Sequence, residues 1–350
     1  MKIKFDEIIL LLFFFLFADF CTQGQGNSTD WGVHPMDYSR IGTAGWQFLK
    51  LPTNARNAAV GGIISVISSG DANSVFTNPA SLSNLQGFEI SFSNMKWVAD
   101  ISYQSFSIIR NFNEYGTLGL GLVYLDYGSM VRTENILRYD ALGNSLGVLP
   151  VLDGLGTFSA SDFSLGLSYA KQITNKLQIG GTLKYLQERL DDAKTSNWSV
   201  DIATLYYTGF NSLRISFVGQ NFGPDATFAS YTERIQVEPV KVKMPMVLAM
   251  GIGYDFLEGK NDNPNKLATM LEYKKPNDGD DKIVVGLEYS YLNTFYIRGG
   301  YKFNYDVEDL TLGAGVHYDY NNEIKFKIDY AFINVGIFNQ VHMFSFGISF

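Results

Sequence analysis

Apolar positions alternate with small or polar ones, at a period of two, through most of this 350-residue chain. The C-terminal residues show it most plainly. Phe344, Phe346, Ile348 and Phe350 take one set of alternate positions, and Ser345, Gly347 and Ser349 take the other. A pleated strand sends successive side chains to opposite faces, so this segment has an oily face and a small polar face. From Gly87 onward the pattern predicts fourteen strands. Their apolar faces begin with Phe88/Ile90/Phe92, Ile101/Tyr103, Leu118/Leu120/Leu122/Tyr124, Phe163/Leu165/Leu167/Tyr169 and Leu177/Ile179/Leu183/Tyr185. Trp198/Val200/Ile202, Leu213/Ile215/Phe217, Met246/Leu248/Met250/Ile252/Tyr254, Leu267/Leu271/Tyr273 and Ile283/Val285/Leu287/Tyr289 follow. Phe295/Ile297/Tyr301/Phe303, Leu310/Leu312/Val316/Tyr318, Ile324/Phe326/Ile328/Tyr330/Phe332 and the terminal segment complete the set. In the second strand Phe106 and Ile108 fall out of phase with Ile101 and Tyr103, which predicts a bulge.

The opposite faces carry most of the charge within these strands: Lys184, Asp201, Glu272, Glu288, Arg298, Lys302, His317, Asp319, Lys325, Lys327 and Asp329. A charge facing lipid near the midplane costs about 2–4 kcal/mol, so an alternating strand in a membrane turns such residues inward. The predicted fold class is therefore all-β: a transmembrane antiparallel β-barrel of about 14 strands, the even count that a single-chain barrel with both ends on one side requires. Connection lengths agree with the count. The links after even strands are mostly short, as at Thr174-Asn175, Leu292-Asn293 and Asn321-Asn322, with 257–265 the longer exception. The links after odd strands include 126–161, 187–197, 222–244 and 274–281. Short turns on one side and long loops on the other are the usual asymmetry of outer-membrane barrels. A C-terminal strand ending on Phe350 is likewise how such barrels resemble one another, that strand being read during barrel assembly.

The inward set mixes both signs, whereas a single-sign ring would point to an ion-selective pore. Many inward positions are glycine, among them Gly119, Gly121, Gly166, Gly251, Gly253, Gly313 and Gly315. These features point to a lumen occupied by protein or crossed by a charge network. Solvated lumen residues with no specific role are the alternative.

The first residues read as a secretory signal. Lys2 and Lys4 precede an apolar run, Ile8 to Phe17, that is too short for a comfortable membrane helix. The expected boundaries are 1–24 for the signal peptide, 25–86 for a periplasmic segment and hatch, and 87–350 for the barrel, with residence in the bacterial outer membrane after export. Phe20 before Cys21, the chain's one cysteine, argues against a lipid-modified N-terminus. Residues 27–86 lack the alternation and are best placed inside the barrel. The formal net charge of −8 argues against nucleic acid as a partner. Catalytic chemistry has no foothold: His34, His317 and His342 lack metal-ligand spacing, and no nucleophile–base pair stands out. Asn277-Asp278-Gly279-Asp280-Asp281 has calcium-like composition but lacks the twelve-residue loop and closing Glu. The reading is a protein with no enzymatic role, no cofactor and no metal.

Several motifs fall in order along the pre-barrel segment and just beyond it. Gly42-Thr43-Ala44-Gly45-Trp46-Gln47-Phe48 comes first, then Ala55-Arg56-Asn57-Ala58-Ala59-Val60-Gly61-Gly62, Asp71 and Asn78-Pro79-Ala80-Ser81-Leu82. Trp97-Val98-Ala99-Asp100 and Tyr124-Leu125-Asp126-Tyr127-Gly128 follow. In this order and spacing they resemble the PorV/PorQ family of Bacteroidota outer-membrane proteins. The Asn-Pro-Ala-x-Leu element is also shared with the wider FadL-like group. The resemblance implies a FadL-like barrel with an N-terminal hatch and a non-enzymatic role in the type IX secretion system, binding the translocon or cargo with C-terminal signal domains.

Physical roles for these residues are expectations. Gly61-Gly62 lets the backbone pass close to the wall, and Arg56 needs an acidic partner, with Asp71 and Glu288 as candidates. Asn78-Pro79 fixes the turn into strand 1, and Trp97 with Asp100 sits at an interface girdle. Glu288, Arg298, Lys325, Lys327 and Asp329 are the lumen charges of interest. Leu146, Val148, Leu149, Val151 and Leu152 make loop 126–161 unusually apolar for a solvated loop, which marks a protein contact or a ligand lid. The second reading is a FadL-like transporter of hydrophobic small molecules, with an apolar pocket between hatch and wall and a lateral opening at the irregular second strand. Partners are then outer-membrane lipid, a secretion protein, or a hydrophobic ligand.

Overall fold

In the computed structural model the alternation closes on itself. Residues 42–67, 70–140, 142–151, 154–226, 241–257, 264–321, 323–338 and 340–350 are described, within the compact unit Arg40–Phe350. The expected signal segment, His34 and Leu152 lie outside them. The barrel begins with β1 (Phe88–Lys96), β2 (Ser102–Asn111) and β3 (Thr117–Val131). A two-stranded hairpin, β4 (Glu134–Tyr139) and β5 (Ser145–Val151), is inserted before β6 (Thr157–Gln172). Then come β7 (Leu177–Leu190), β8 (Ala193–Tyr207), β9 (Arg214–Phe222), β10 (Val247–Leu257), β11 (Asn265–Pro276) and β12 (Lys282–Tyr291). β13 (Phe295–Phe303), β14 (Leu310–Tyr320), β15 (Ile324–Ile333) and β16 (Val341–Ser349) complete the wall. Each barrel strand pairs with its neighbours in the chain, β3 pairs β6 across the hairpin, and β16 returns to β1 in a closed antiparallel ring. The barrel thus has fourteen strands, one for each alternating segment of the sequence.

Closure is carried to the last residue. Phe88 N–H donates to the Phe350 carbonyl at 3.0 Å, and Phe350 N–H returns the bond at 2.8 Å. A closed ladder leaves no strand edge unpaired in hydrocarbon, where each unsatisfied peptide group costs several kcal/mol. The outward set is exposed and apolar, including Leu120, Leu167, Ile202, Phe217, Leu248, Ile297, Ile328 and Phe346. Exposed Tyr169, Tyr206, Tyr289, Tyr318 and Tyr320 mark the short-turn end, and Tyr124, Trp198, Tyr273 and Tyr301 the long-loop end. These are the two aromatic girdles of a membrane barrel.

Three expectations are corrected. The second strand has no bulge: β2 pairs without interruption to β1 and to β3. Its outward residues are Gln104, Phe106, Ile108 and Arg110, while Tyr103 is buried in the interior. The sequence phase was misread because Ile101 precedes the strand and Tyr103 is an inward aromatic. Register shifts occur elsewhere, between Asp126 and Ser129, between Val200 and Ile202, and between Asp255 and Leu257. The link expected at 187–197 is a two-residue turn, because β7 and β8 pair up to Leu190 and Ala193. Trp97 is half-buried and packs against the interior cluster, where a girdle position was expected.

Residues 42–67 and 70–86 run along the inner wall. The helix α1 (Ala55–Ala59) and three short 3-10 turns are their regular structure. Inward glycines make the room. A methyl group on Gly313 would overlap Ala59, one on Gly121 would overlap Val75 and Phe76, and one on Gly251 would overlap Ser65 and Val66. At Gly180 the obstacle is main chain, that of Pro79 and Ala80, which has no rotamer to yield. Gly180→Val is therefore expected to destabilise the barrel by about 1–3 kcal/mol, as overpacking does. Gly181→Ala, on the outward face, meets only the Asp201 carbonyl and should stay close to wild type. Heat-modifiable mobility on gels, read against temperature, compares the two.

Candidate functional site

The interior is organised by acids of the wall that hold the inner segment. Among the described residues five of them reach it. Glu188 accepts from the Trp46 N–H at 2.9 Å, and Glu89 from the Ala72 N–H at 3.1 Å. Glu272 accepts from the Ile64 N–H and from the N–H and hydroxyl of Ser65. Asp278 takes Gln47 Nε2 at 2.8 Å and Lys50 Nζ at 2.5 Å. Glu288 takes Arg56 through two bonds, Nε at 2.8 Å and Nη2 at 2.7 Å. A segment with little regular structure leaves its backbone donors free, and a buried donor must find an acceptor. Polar side chains complete the attachment: Ser345 Oγ accepts from the Ala55 N–H, and Asn78 Nδ2 donates to the Ser65 carbonyl and to Ser216 Oγ. Asn54, Asp71 and Asn78 cap the helical turns that follow them, as short polar side chains do at helix starts. Apolar packing adds to the polar contacts. Trp46 and Phe48 are buried in one cluster with Met95, Tyr103, Leu125, Leu186 and Met343 of the wall.

Arg56 stands at the centre of this interior. Besides Glu288 it meets Asp71 at 3.2 Å, so the two candidate acids are both its partners. Glu288 in turn bridges to Arg298 at 2.6 Å, and Arg298 reaches Asp329 at 2.5 Å. Asp329 lies 3.2 Å from His317 Nε2, and the His317 ring packs on Tyr296 with centroids 4.2 Å apart. Lys327 belongs to a separate pair with Glu89 at 2.7 Å. Lys325 pairs with Asp319 in a half-exposed position nearer the short turns. Of the five lumen charges singled out in the sequence, Glu288, Arg298 and Asp329 form one network, and Lys325 and Lys327 lie outside it. Gly61 and Gly62 adopt positive φ of 84° and 74° where the chain leaves α1. Gly300 of the wall approaches the Gly61 backbone so closely that a Cβ there would overlap it. Asp100 is exposed in the β1–β2 connection, and Phe350 is exposed beside Phe88. In the β4–β5 hairpin Leu137, Leu142 and Val148 are exposed, and the backbones of Leu146, Leu149 and Val151 belong to β5.

Two cavities flank α1. The one toward the long loops, of about 350 Å³, is bordered by Thr53, Asn57, Gly61 and Gly62 of the inner segment. Leu49, Leu51, Pro52, Ile64, Phe76, Val247, Pro276 and Val307 contribute apolar wall, interleaved with Gln47, Thr77, Gln220, Asp306 and Glu308. Lys50, Lys274, Lys282 and Lys302 border it too. Lys302 is held by Glu308, and Lys274 by Glu272 and the Gly62 carbonyl. Lys282 lies over the Tyr305 ring at 4.1 Å. Burial lowers the Lys50 ammonium below the usual lysine range despite its bond to Asp278. The second cavity, of about 340 Å³, faces the short turns and is polar, with Asn54, Arg56, Asp71, Glu288 and His317 on its border. Residues 53–57 thus stand between the two.

Sequence reasoning missed Glu89, Glu188, Lys50, Lys274 and Lys282; it placed Lys302 inward, and it met Asp278 only as part of an acidic loop and not as a holder of the inner segment. Glu89 falls inside the alternation Phe88/Ile90/Phe92 as an inward position, and Glu188 is found by extending the inward phase of its strand beyond Tyr185. Asp278 lies in a loop and Lys50 ends the short 3-10 turn Gln47–Lys50, and neither carries a periodic signal.

Arg56→Gln and Glu288→Gln each leave a buried charge short of a partner. Each should cost about 3–5 kcal/mol, and the double variant less than the two losses added. Thermal unfolding of the three variants in one detergent tests the coupling, and conductance in planar bilayers should rise as the inner segment loosens.

No protein-family model matches this chain, and no curated protein matches it in sequence. The motif resemblance therefore stands on its motifs alone. Among solved structures, the fold is similar to the Ralstonia pickettii toluene transporter TbuX, with a TM-score of 0.53 and 14% identity over 87% of this chain and 100% of that one. The Pseudomonas putida toluene transporter TodX gives 0.51 and 15% identity, covering 86% of this chain and 98% of that one. A Pseudomonas aeruginosa FadL homologue gives a TM-score of 0.48 at 8% identity, covering 85% and 98%. Likeness at such low identity concerns the fold: a closed fourteen-stranded antiparallel barrel of the kind seen in the two toluene transporters.

Proposed function

We propose that this chain is a non-enzymatic outer-membrane barrel that binds hydrophobic small molecules and carries them across the membrane, with residues 25–86 as its hatch and residues 1–24 as a signal removed on export. The observation that carries the reading is the cavity of about 350 Å³ between the inner segment and the wall, to which Leu49, Leu51, Ile64, Phe76 and Val247 turn apolar surface. A pocket of that size suits a small molecule, and the apolar side chains of the inner segment would face the hydrophobic part of one. The fold shared with two toluene transporters supports the same reading. Ligand entering from the long-loop side would meet Leu49, Leu51 and Phe76 before reaching α1.

The type IX secretion reading, first on the motifs, comes second here. The exposed hairpin residues Leu137, Leu142 and Val148 favour it, since apolar side chains on a solvated loop mark a protein contact. Its experimental signature is recovery of a translocon barrel, or of proteins with C-terminal signal domains, with the tagged protein from solubilised outer membranes.

Displacement of a hydrophobic fluorophore such as 1-aminoanthracene by toluene, with purified barrel in detergent, tests the transport reading. Wild type is expected to bind at micromolar to millimolar concentration. Leu51→Trp, which fills the cavity, should weaken binding at least tenfold while the barrel stays heat-modifiable. Equal displacement from both proteins would place the fluorophore in the micelle and remove the support for this reading.

A further inference from the structure

Of the five wall acids that hold the inner segment, four meet a cation. Lys327 answers Glu89, Lys274 answers Glu272, Lys50 answers Asp278 and Arg56 answers Glu288. Glu188 faces another acid instead. β6 and β7 set Asp162 directly opposite it, both in the inward phase. Side chains so placed lie about 4.5–5.5 Å apart at Cβ. The Tyr127 hydroxyl of β3 donates to Asp162 Oδ2 at 2.7 Å, and the Trp46 N–H donates to Glu188 Oε1 at 2.9 Å. Asp162 Oδ1 and Glu188 Oε2 have no donor among the described residues. The other charges nearby are engaged or turned away. On β7, Lys184 is taken by Asp201 at 2.6 Å. Arg189 of β7 and Lys194 of β8 are exposed in the outward phase, and Asp126 of β3 shares that phase. β8 places Thr195, not a cation, across from Glu188. Lys243 touches the inner segment through its carbonyl, which accepts from the Gly45 N–H, and its side chain is exposed.

Two carboxylates at that spacing, with no cation between them, do not both ionise, and one proton stays with the pair. The two oxygens without donors are where it fits, since a protonated carboxyl on one residue donates to the carboxylate of the other. Loss of that proton sets two like charges face to face, and their repulsion exceeds what one backbone hydrogen bond returns. Asp162 is buried and held by Tyr127, whereas Glu188 is half-buried and free to turn toward water. The contact it gives up in turning is the one to Trp46. Trp46 adopts φ 56° and ψ 32°, the left-handed region that an aromatic residue disfavours, so the bond to Glu188 holds strained backbone in place. The 3-10 turn Gln47–Lys50 follows directly, and Gln47, Leu49 and Lys50 border the upper cavity. We propose that Asp162 and Glu188 form a proton latch. With one proton shared, Trp46 is held on the wall; with the proton lost, the start of the inner segment loosens and the upper cavity opens toward the long loops. Glu188 lies beyond Tyr185, which packs on Trp198 of the long-loop girdle, and so stands past the membrane span. Burial and the charge of Asp162 push its carboxyl up to about 7. The latch is therefore closed below that pH and opens as pH rises through it. The inference concerns the entrance to the lumen and is independent of what the cavity carries.

The test reads Trp46 itself. With Trp31, Trp97 and Trp198 replaced by Phe, Trp46 is the chain's one tryptophan. Acrylamide quenching of its fluorescence is followed from pH 5.5 to 8.5 in purified barrel, with EDTA present so that a metal ion does not stand in for the proton. Heat-modifiable mobility at both ends of the range shows that the barrel stays closed. The quenching constant is expected to rise at least twofold, with its midpoint near neutral pH. Glu188→Gln and Asp162→Asn each leave at most one charge in the pair, so in the same background each should keep quenching low and flat across the range. A purely structural role for either acid would shift quenching equally at every pH. A second readout uses the chain with all its tryptophans: conductance in planar bilayers should rise at least twofold over the same range in wild type and stay level in Glu188→Gln. The proposal is overturned by flat wild-type profiles, by a pH step that persists in Glu188→Gln or Asp162→Asn, or by variants that change quenching by the same factor at pH 5.5 and 8.5.

Discussion

The interior depends on one constraint: a lumen wide enough for fourteen strands has to be filled, and what fills it is backbone. Helices and sheets satisfy their own peptide groups; the inner segment has one five-residue helix and three short turns, so it cannot. The wall supplies the acceptors. Glu89, Glu188, Glu272, Asp278 and Glu288 come from four strands and one loop, and each reaches the inner segment. Carboxylates suit this task because each oxygen accepts more than one bond and the bonds are charge-assisted. Acids buried in the lumen are thus attachment points first, and Lys327, Lys274, Lys50 and Arg56 compensate four of them.

The same constraint explains where glycine and charge stand within the strands. Gly121, Gly180, Gly251, Gly300 and Gly313 lie where the inner segment touches the wall, and Gly253 and Gly315 lie where arginine or aspartate needs the space. Arg56 joins the two systems, since it belongs to α1 and is fixed by a wall acid that is itself fixed by Arg298. Removing water from so many charges is expensive, and it is tolerable because nearly every member has a partner in place. The cavities survive on either side of α1, where packing gives out. The upper one joins apolar side chains of the inner segment, Leu49, Leu51 and Ile64, to a border of lysines.

Alternation carried most of the architecture. The strand count, the antiparallel ring, the outward apolar face and the inward charges of β12 to β15 all follow from a period of two, because lipid on one side and lumen on the other leave a strand residue only two options. The misreading of β2 is instructive. Tyr103 looks lipid-facing by composition, yet it is buried against Trp46, Met95 and other interior residues. Single-strand periodicity cannot separate an inward aromatic from an outward one when the lumen is filled with protein. Loop boundaries failed for a related reason: β7 and β8 continue past the membrane level as a polar hairpin, Gln187 to Ser196, with no apolar face to mark it.

The sequence by itself determined the barrel, its strand order, the side on which the long loops lie, and the need of Arg56 for an acid. These are local properties, set by which neighbours two and four positions away share a face. Only the tertiary structure decided that Arg56 is shared between Asp71 and Glu288, that Glu188 and Asp278 hold residues 46–50, and that α1 divides two cavities. Those contacts join residues as far as 232 positions apart in the chain. No periodicity encodes them; they exist because ring closure brings distant strands around one segment that has nowhere else to bond.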